Sequence, residues 1–134
     1  MLVPLDGTDV SAAIMPCVEQ FAKRFNVEMM LFHDHPECDA AAEASKQREF
    51  LDQHGMELAN AGIAVQLDCS THRRPAREIL QRIDELDIDI AAMVSHGASG
   101  ERRAQEEPVN ANVTRHANRP LLVWSSDPQS PRTG

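Results

Sequence analysis

Ser95, His96, Gly97 and Gly100 follow directly on the apolar run 88–94. A strand that empties into a small, glycine-containing turn is where α/β proteins hold phosphates. Backbone N–H groups approach a ligand closely only where side chains are absent. The following helix is expected to open around Glu107-Pro108. That places a carboxylate and a missing N–H where a phosphate would need donors. The pattern is that of a nucleotide site with its phosphate grip removed.

Potential metal ligands gather nearby in sequence. His33, Asp34, His35, Glu37 and Cys38 form the densest group, and Cys69, His72 and His96 fall at or just past the ends of two further apolar runs. Imidazole and thiolate could build a tetrahedral zinc or copper site. His33 and His35 point the same way only on a continuing strand, and Pro36 argues against continuation. No CxxC or HxxxH fixes a ligand spacing. We therefore expect no bound metal; were one present, His33, His35 and His96 are the candidates. Ser95-His96-Gly97-Ala98-Ser99-Gly100 is not a GxSxG elbow, and adjacent Ser and His side chains rarely face each other. With no oriented base and no oxyanion hole to name, catalysis is not expected. Cys38 has no neighbouring Lys or Arg to activate its thiol. Arg73, Arg74 and Arg77, with Arg102 and Arg103, read as solvated basic spots able to meet a small anion or an acidic partner.

The elements that must position these groups alternate along the chain. Leu2-Val3-Pro4-Leu5 reads as a buried strand ended by Asp6-Gly7-Thr8, and Thr8 or Asp9 can cap the next helix. In 10–25, Ile14, Val18, Phe21 and Phe25 recur at helical spacing, with Pro16 expected to bend that helix or loosen a turn of it. Strands are expected over 27–33, 63–69, 88–94 and 121–124. Helices fill 40–61, the stretch from Pro75 on which Ile79, Leu80, Ile83 and Leu86 face inward, and 108–117. Strand and helix in alternation imply a parallel sheet with right-handed crossovers. The carboxyl edge of such a sheet is where ligands bind.

A chain of 134 residues supports one domain, assigned to residues 1–125, with a tail 126–134 rich in Pro and Ser expected to be disordered. A net charge of −8 repels a polyanion, so nucleic-acid binding is not expected. No apolar run reaches the length of a membrane span, and Met1 leads into Leu2-Val3-Pro4-Leu5 without a basic segment, so neither a span nor a secretory leader is expected. Cys17, Cys38 and Cys69 cannot all pair internally, which suits a reducing cytoplasm.

Taken in order, the segments 3–8, Leu31-Phe32-His33, Pro75-Ala76 with Ile79-Leu80, 89–97 and 119–123 resemble the universal stress protein family across essentially the whole domain. The resemblance implies a five-stranded parallel sheet in the order 3-2-1-4-5, and a homodimer joined through the last strand. Nucleotide-binding members carry a glycine, two residues, a second glycine, nine residues, then glycine and Ser or Thr. On this chain those positions fall on Val94, Gly97, Glu107 and Pro108, so one of four matches. A register starting at Gly97 keeps Gly100 but closes on Asn110-Ala111. Each lost charged hydrogen bond is worth about 1.5–3 kcal/mol, so two or three cost about two to six decades of affinity. Asp34 stands where such members have an apolar residue against adenine, and Arg73 where they have a glycine. Asp6 resembles the family's ribose-binding aspartate. The vestigial crevice would thus comprise Asp6, Ser95, His96, Gly97 and Gly100, with no cofactor expected and ATP or AMP, weakly held, as the alternative.

Leu121, Leu122, Val123 and Trp124 make a hydrophobic final strand. An apolar edge left open aggregates, and pairing with its copy across a two-fold axis covers it. The expected function is a regulatory or protective homodimer acting through protein partners without tight ATP binding. A nucleotide-binding protein with a degenerate loop, or a metal- or anion-binding module at the same crevice, are the alternatives.

Overall fold

The computed structural model describes residues 1–34, 41–70, 75–95 and 109–125. Strand β1 (Leu2–Leu5) leads to helices α1 (Asp9–Ala12) and α2 (Met15–Phe25), then β2 (Met29–Asp34) and α3 (Ala41–Asn60). Next come β3 (Val65–Ser70), α4 (Pro75–Glu85), β4 (Ala91–Ser95), α5 (Val109–His116) and β5 (Leu121–Ser125). The five strands form one parallel sheet in the order β3-β2-β1-β4-β5, the order implied by the family resemblance. The expected tail 126–134 lies outside the described residues.

Successive side chains on a strand point to opposite faces, so a sheet covered on both sides must be apolar at every position. Val3, Leu5 and Leu31 pack with Val18 and Ala22 of α2 and with Leu51 and Leu58 of α3 on one face. Leu2, Phe32 and Met93 pack with Ile79 and Ile83 of α4 and Val113 of α5 on the other. The central strand is therefore an unbroken apolar run, and it is almost wholly buried.

On the α4 face a charge is folded into this packing. The Arg82 guanidinium lies 4.5 Å from the Phe32 ring centroid, donates through Nε to Asp68, and donates through Nη1 to Glu78 at 2.8 Å. One cation thus joins α4 to β2 and β3, its apolar stem covering an aromatic ring. Burial disfavours its charge, but Asp68 and Glu78 more than offset this and raise its pKa.

Four expectations differ from the structure. Pro16 does not bend one helix; the chain breaks at Ala13-Ile14, and the proline sits in the first turn of α2, where its missing N–H costs no intrahelical bond. Strands β2, β3 and β4 open two or three residues later than expected, while β1 and β5 open as expected; the buried Ile63 and Ile88 lie in connections that enter the sheet. Leu86 is 48% exposed rather than inward, since α4 ends at Glu85 and Asp87 turns into the left-handed region at φ 50°. Phe25 also points outward and stacks on Phe21 at 4.7 Å. Among the described residues no helix is long and apolar enough to cross a membrane.

Leu58, 1% exposed, and Leu86 should therefore respond oppositely to truncation. Leu58→Ala is expected to lower stability by about 2–5 kcal/mol, and Leu86→Ala to stay within about 0.5 kcal/mol of the parent. Urea titration followed by far-UV circular dichroism measures both.

Candidate functional site

Parallel strands deliver their carboxyl ends to one edge, where β1, β2 and β4 bring Asp6, His33 and Ser95. At the end of β1, Asp6 Oδ1 accepts hydrogen bonds from the Thr8 backbone N–H at 2.9 Å and from the Thr8 hydroxyl at 2.5 Å. Thr8 Oγ1 in turn accepts from the Ser11 N–H at 3.2 Å and caps α1. The Ser11 hydroxyl donates to the Thr8 carbonyl at 2.9 Å and accepts from the Asp6 N–H at 3.3 Å. The Asp6-Gly7-Thr8 signal thus resolves into a closed ring of hydrogen bonds in which Asp6 orders the turn.

Gly7, at φ 86°, makes this turn possible. A Cβ there would collide with the side-chain amide of Gln47, which reaches the turn from α3. Gln47 Oε1 is buried without a hydrogen-bond partner among the described residues. Its place at the crevice was not visible in the sequence, because nothing in the Ala-rich pattern of 40–61 marks one polar residue as inward-facing.

His33 is 2% exposed, and its Nδ1 lies 2.7 Å from the Leu5 carbonyl. A carbonyl only accepts, so Nδ1 carries the proton and the ring ties β2 to the end of β1. Cys69 is the register neighbour of His33 on β3. Burial pushes the Cys69 thiol above its ordinary pKa, Asp68 and Asp52 add to the rise, and Arg48 opposes it. Among the described residues, no three His, Cys, Asp or Glu side chains gather as a metal set. His35, Glu37, Cys38, His72, Arg73, Arg74, His96, Gly97, Gly100, Arg102, Arg103, Glu107 and Pro108 lie outside the described residues. Val94 does not: it is a buried residue of β4 in register with Trp124.

Among the described residues, β5 stands at the outer edge of the sheet and pairs with β4. Leu121 and Leu122 are half-buried against the two core faces, while Val123 and Trp124 are 47% and 43% exposed.

Residues 1–125 match the profile of the Universal stress protein family. Among solved structures, a universal stress protein in complex with cAMP superposes with a TM-score of 0.77 at 18% identity, covering 94% of this chain and 95% of that one. One from Archaeoglobus fulgidus in complex with dAMP gives 0.71 at 16% identity, over 91% and 94% of the two chains. A family protein from Arabidopsis thaliana with AMP bound gives 0.70 at 15% identity, over 98% and 95%. At such identities the likeness is one of fold. No curated protein sequence matches the chain.

Gly7→Ala is expected to cost about 1–2 kcal/mol, from its left-handed backbone, because the Gln47 amide it meets is the end of a flexible side chain and can move aside. Gly7→Ala with Gln47→Ala should therefore recover little of that loss; thermal unfolding of the three proteins measures it. In a background of Cys17→Ser and Cys38→Ser, the iodoacetamide rate at Cys69 should reach half its maximum above the ordinary thiol pKa of about 8.5. Asp52→Asn removes a charge that disfavours the thiolate, so it should move that midpoint down.

Proposed function

The chain belongs to the universal stress protein family, and on that premise we propose that it acts as a cytoplasmic, non-enzymatic homodimer that regulates or protects through protein partners and holds no ATP tightly. The observation that carries this reading is the outer edge of β5, where Val123 and Trp124 expose large apolar surfaces on a strand that, among the described residues, has a neighbouring strand on one side. Such an edge invites continuation of the sheet, and a two-fold axis lets one patch satisfy its own copy. Tryptophan suits the purpose because it buries much apolar area for little entropy.

The absence of tight ATP binding rests on residue types. Glu107 and Pro108 stand at the positions of the closing glycine and hydroxyl, and Val94 stands at that of the first glycine. A carboxylate repels the phosphates, an imino acid withholds a donor, and a branched side chain keeps the backbone at a distance. Asp6 supports the same reading, since one of its oxygens is engaged by Thr8.

A second reading, a weakly held nucleoside monophosphate, draws support from the relatives described with cAMP, dAMP and AMP. A single phosphate needs less of a cradle than three. Asp6, Ser95, His96, Gly97 and Gly100 would then supply the contacts.

Light scattering on the purified protein should give the mass of a dimer, and Val123→Asp with Trp124→Arg should give a folded monomer. A monomeric parent, or a dimer that survives the double substitution, overturns the interface. Thermal unfolding with millimolar ATP should leave the midpoint nearly unmoved. A ligand present at a hundred times its dissociation constant adds about 2.7 kcal/mol, so a rise of several degrees with ATP, abolished by Asp6→Ala, overturns the ATP half. A rise with AMP alone selects the second reading, and one with zinc or sulfate selects a metal or anion module.

A further inference from the structure

At the carboxyl edge the fold leaves one buried polar atom over. Gln47 reaches from α3 to the Asp6-Gly7-Thr8 turn, where its amide lies against Gly7. Its Oε1 is buried and, among the described residues, accepts no hydrogen bond. The turn closes without it, because Asp6, Thr8 and Ser11 bond to one another. A buried carbonyl with no donor has given up water for nothing, a cost that an apolar side chain of similar shape would not carry. The amide thus does nothing for the turn that a methionine would not do, and its oxygen wants a donor from outside.

The place is built to receive one. Gly7 has no side chain, and a Cβ there would take the space that the amide occupies. Gln47 as a whole is only half-buried, so its side chain has a way out of the contact. The last torsion of a glutamine is soft, and turning it swings the oxygen away from the glycine. The turn sits at the end of β1, a central strand, on the edge where a parallel sheet takes its ligands. Its neighbour Asp6 is an acceptor too, so a ligand settles here by bringing N–H or O–H groups.

We propose that Gln47 is the donor-selecting residue of this crevice, its Oε1 turning from Gly7 to accept a hydrogen bond from the bound ligand. The inference rests on the second reading above, a nucleoside monophosphate, and adds the residue that reads it. The sugar hydroxyls and the base amine offer an amide oxygen the same chemistry, and the experiment separates them.

AMP is the probe. Dideoxy-AMP, without the two sugar hydroxyls, and purine riboside monophosphate, without the base amine, are its comparisons. Amide chemical shifts of the full chain are followed for the parent and for Gln47→Met, which keeps the length of the side chain and removes the acceptor. Gln47→Met should weaken AMP about tenfold, the worth of one hydrogen bond. It should leave unchanged the affinity of whichever analogue lacks the donor that Gln47 reads. Gln53→Met, an exposed change on the same helix, should leave AMP within about twofold. Without ligand, Gln47→Met should unfold at the parent's temperature or above it, since no bond is lost. A lower midpoint would mean that the amide already has a partner, and would overturn the proposal. Equal weakening of all three ligands overturns it as well, because shape rather than a donor would then be at work. If AMP binds parent and Gln47→Met alike, the inference fails and the second reading stands. If the parent binds no AMP, the second reading falls and takes the inference with it.

Discussion

Everything in this molecule depends on covering both faces of a parallel sheet. The strands are short, four to six residues. The inner strands β1, β2 and β4 cannot alternate apolar with polar, because helices lie above and below, whereas the edge strand β3 reads Val-Gln-Leu-Asp-Cys-Ser. Leu2 and Val3 are adjacent in sequence, point in opposite directions, and are each fully buried. That constraint fixes the crossovers, and the crossovers send every strand's carboxyl end to one edge and every amino end to the other. The chemistry of the chain is thereby sorted between two edges before any side chain is considered.

At the carboxyl edge the polar groups first serve the fold. Asp6, Thr8 and Ser11 close a ring that starts α1, and His33 bonds the last carbonyl of β1. A carboxylate and a buried imidazole invite a catalytic or metal-binding reading when met in sequence. Here each has a local partner that accounts for its burial or its geometry. Gln47 differs: its oxygen is buried over Gly7 with no partner among the described residues. A polar atom left so at a ligand edge costs free energy that a bound donor would return.

The sheet order was implied by the family resemblance, and the alternation of strands with helical segments followed from periodicity, because both report the need to bury apolar faces; the split of the first helical segment into α1 and α2 did not. Boundaries were less legible. Ile63 and Ile88 are apolar since they are buried, yet they lie in connections; burial and strand geometry leave the same trace in a sequence. Leu86 extends a helical spacing that ends one residue earlier, because the αL turn at Asp87 leaves no trace in hydrophobicity. Of the site, Asp6 and His33 were legible as residue types at strand ends. Their roles were not, since a hydrogen bond from Nδ1 to Leu5 or from Thr8 to Asp6 depends on register and turn geometry. Gln47 was invisible for a related reason: one contact across a helix carries no periodicity.

The two edges also differ in electrostatic sign, and the topology requires it. Helices that follow strands begin at the carboxyl edge and end at the amino edge, so their dipoles make the first a place for anions and the second a place for cations. The asymmetry of the amino edge is strengthened by Glu28, Asp87 and Asp89. At the carboxyl edge the residue types run the other way: Glu107 and Pro108 precede α5, the helix whose dipole would otherwise favour a phosphate. A carboxylate near a helix start satisfies the same field that would draw a ligand's charge. The proposed function draws on this contrast, between residue types before α5 that oppose an anion and a β5 strand that exposes Val123 and Trp124.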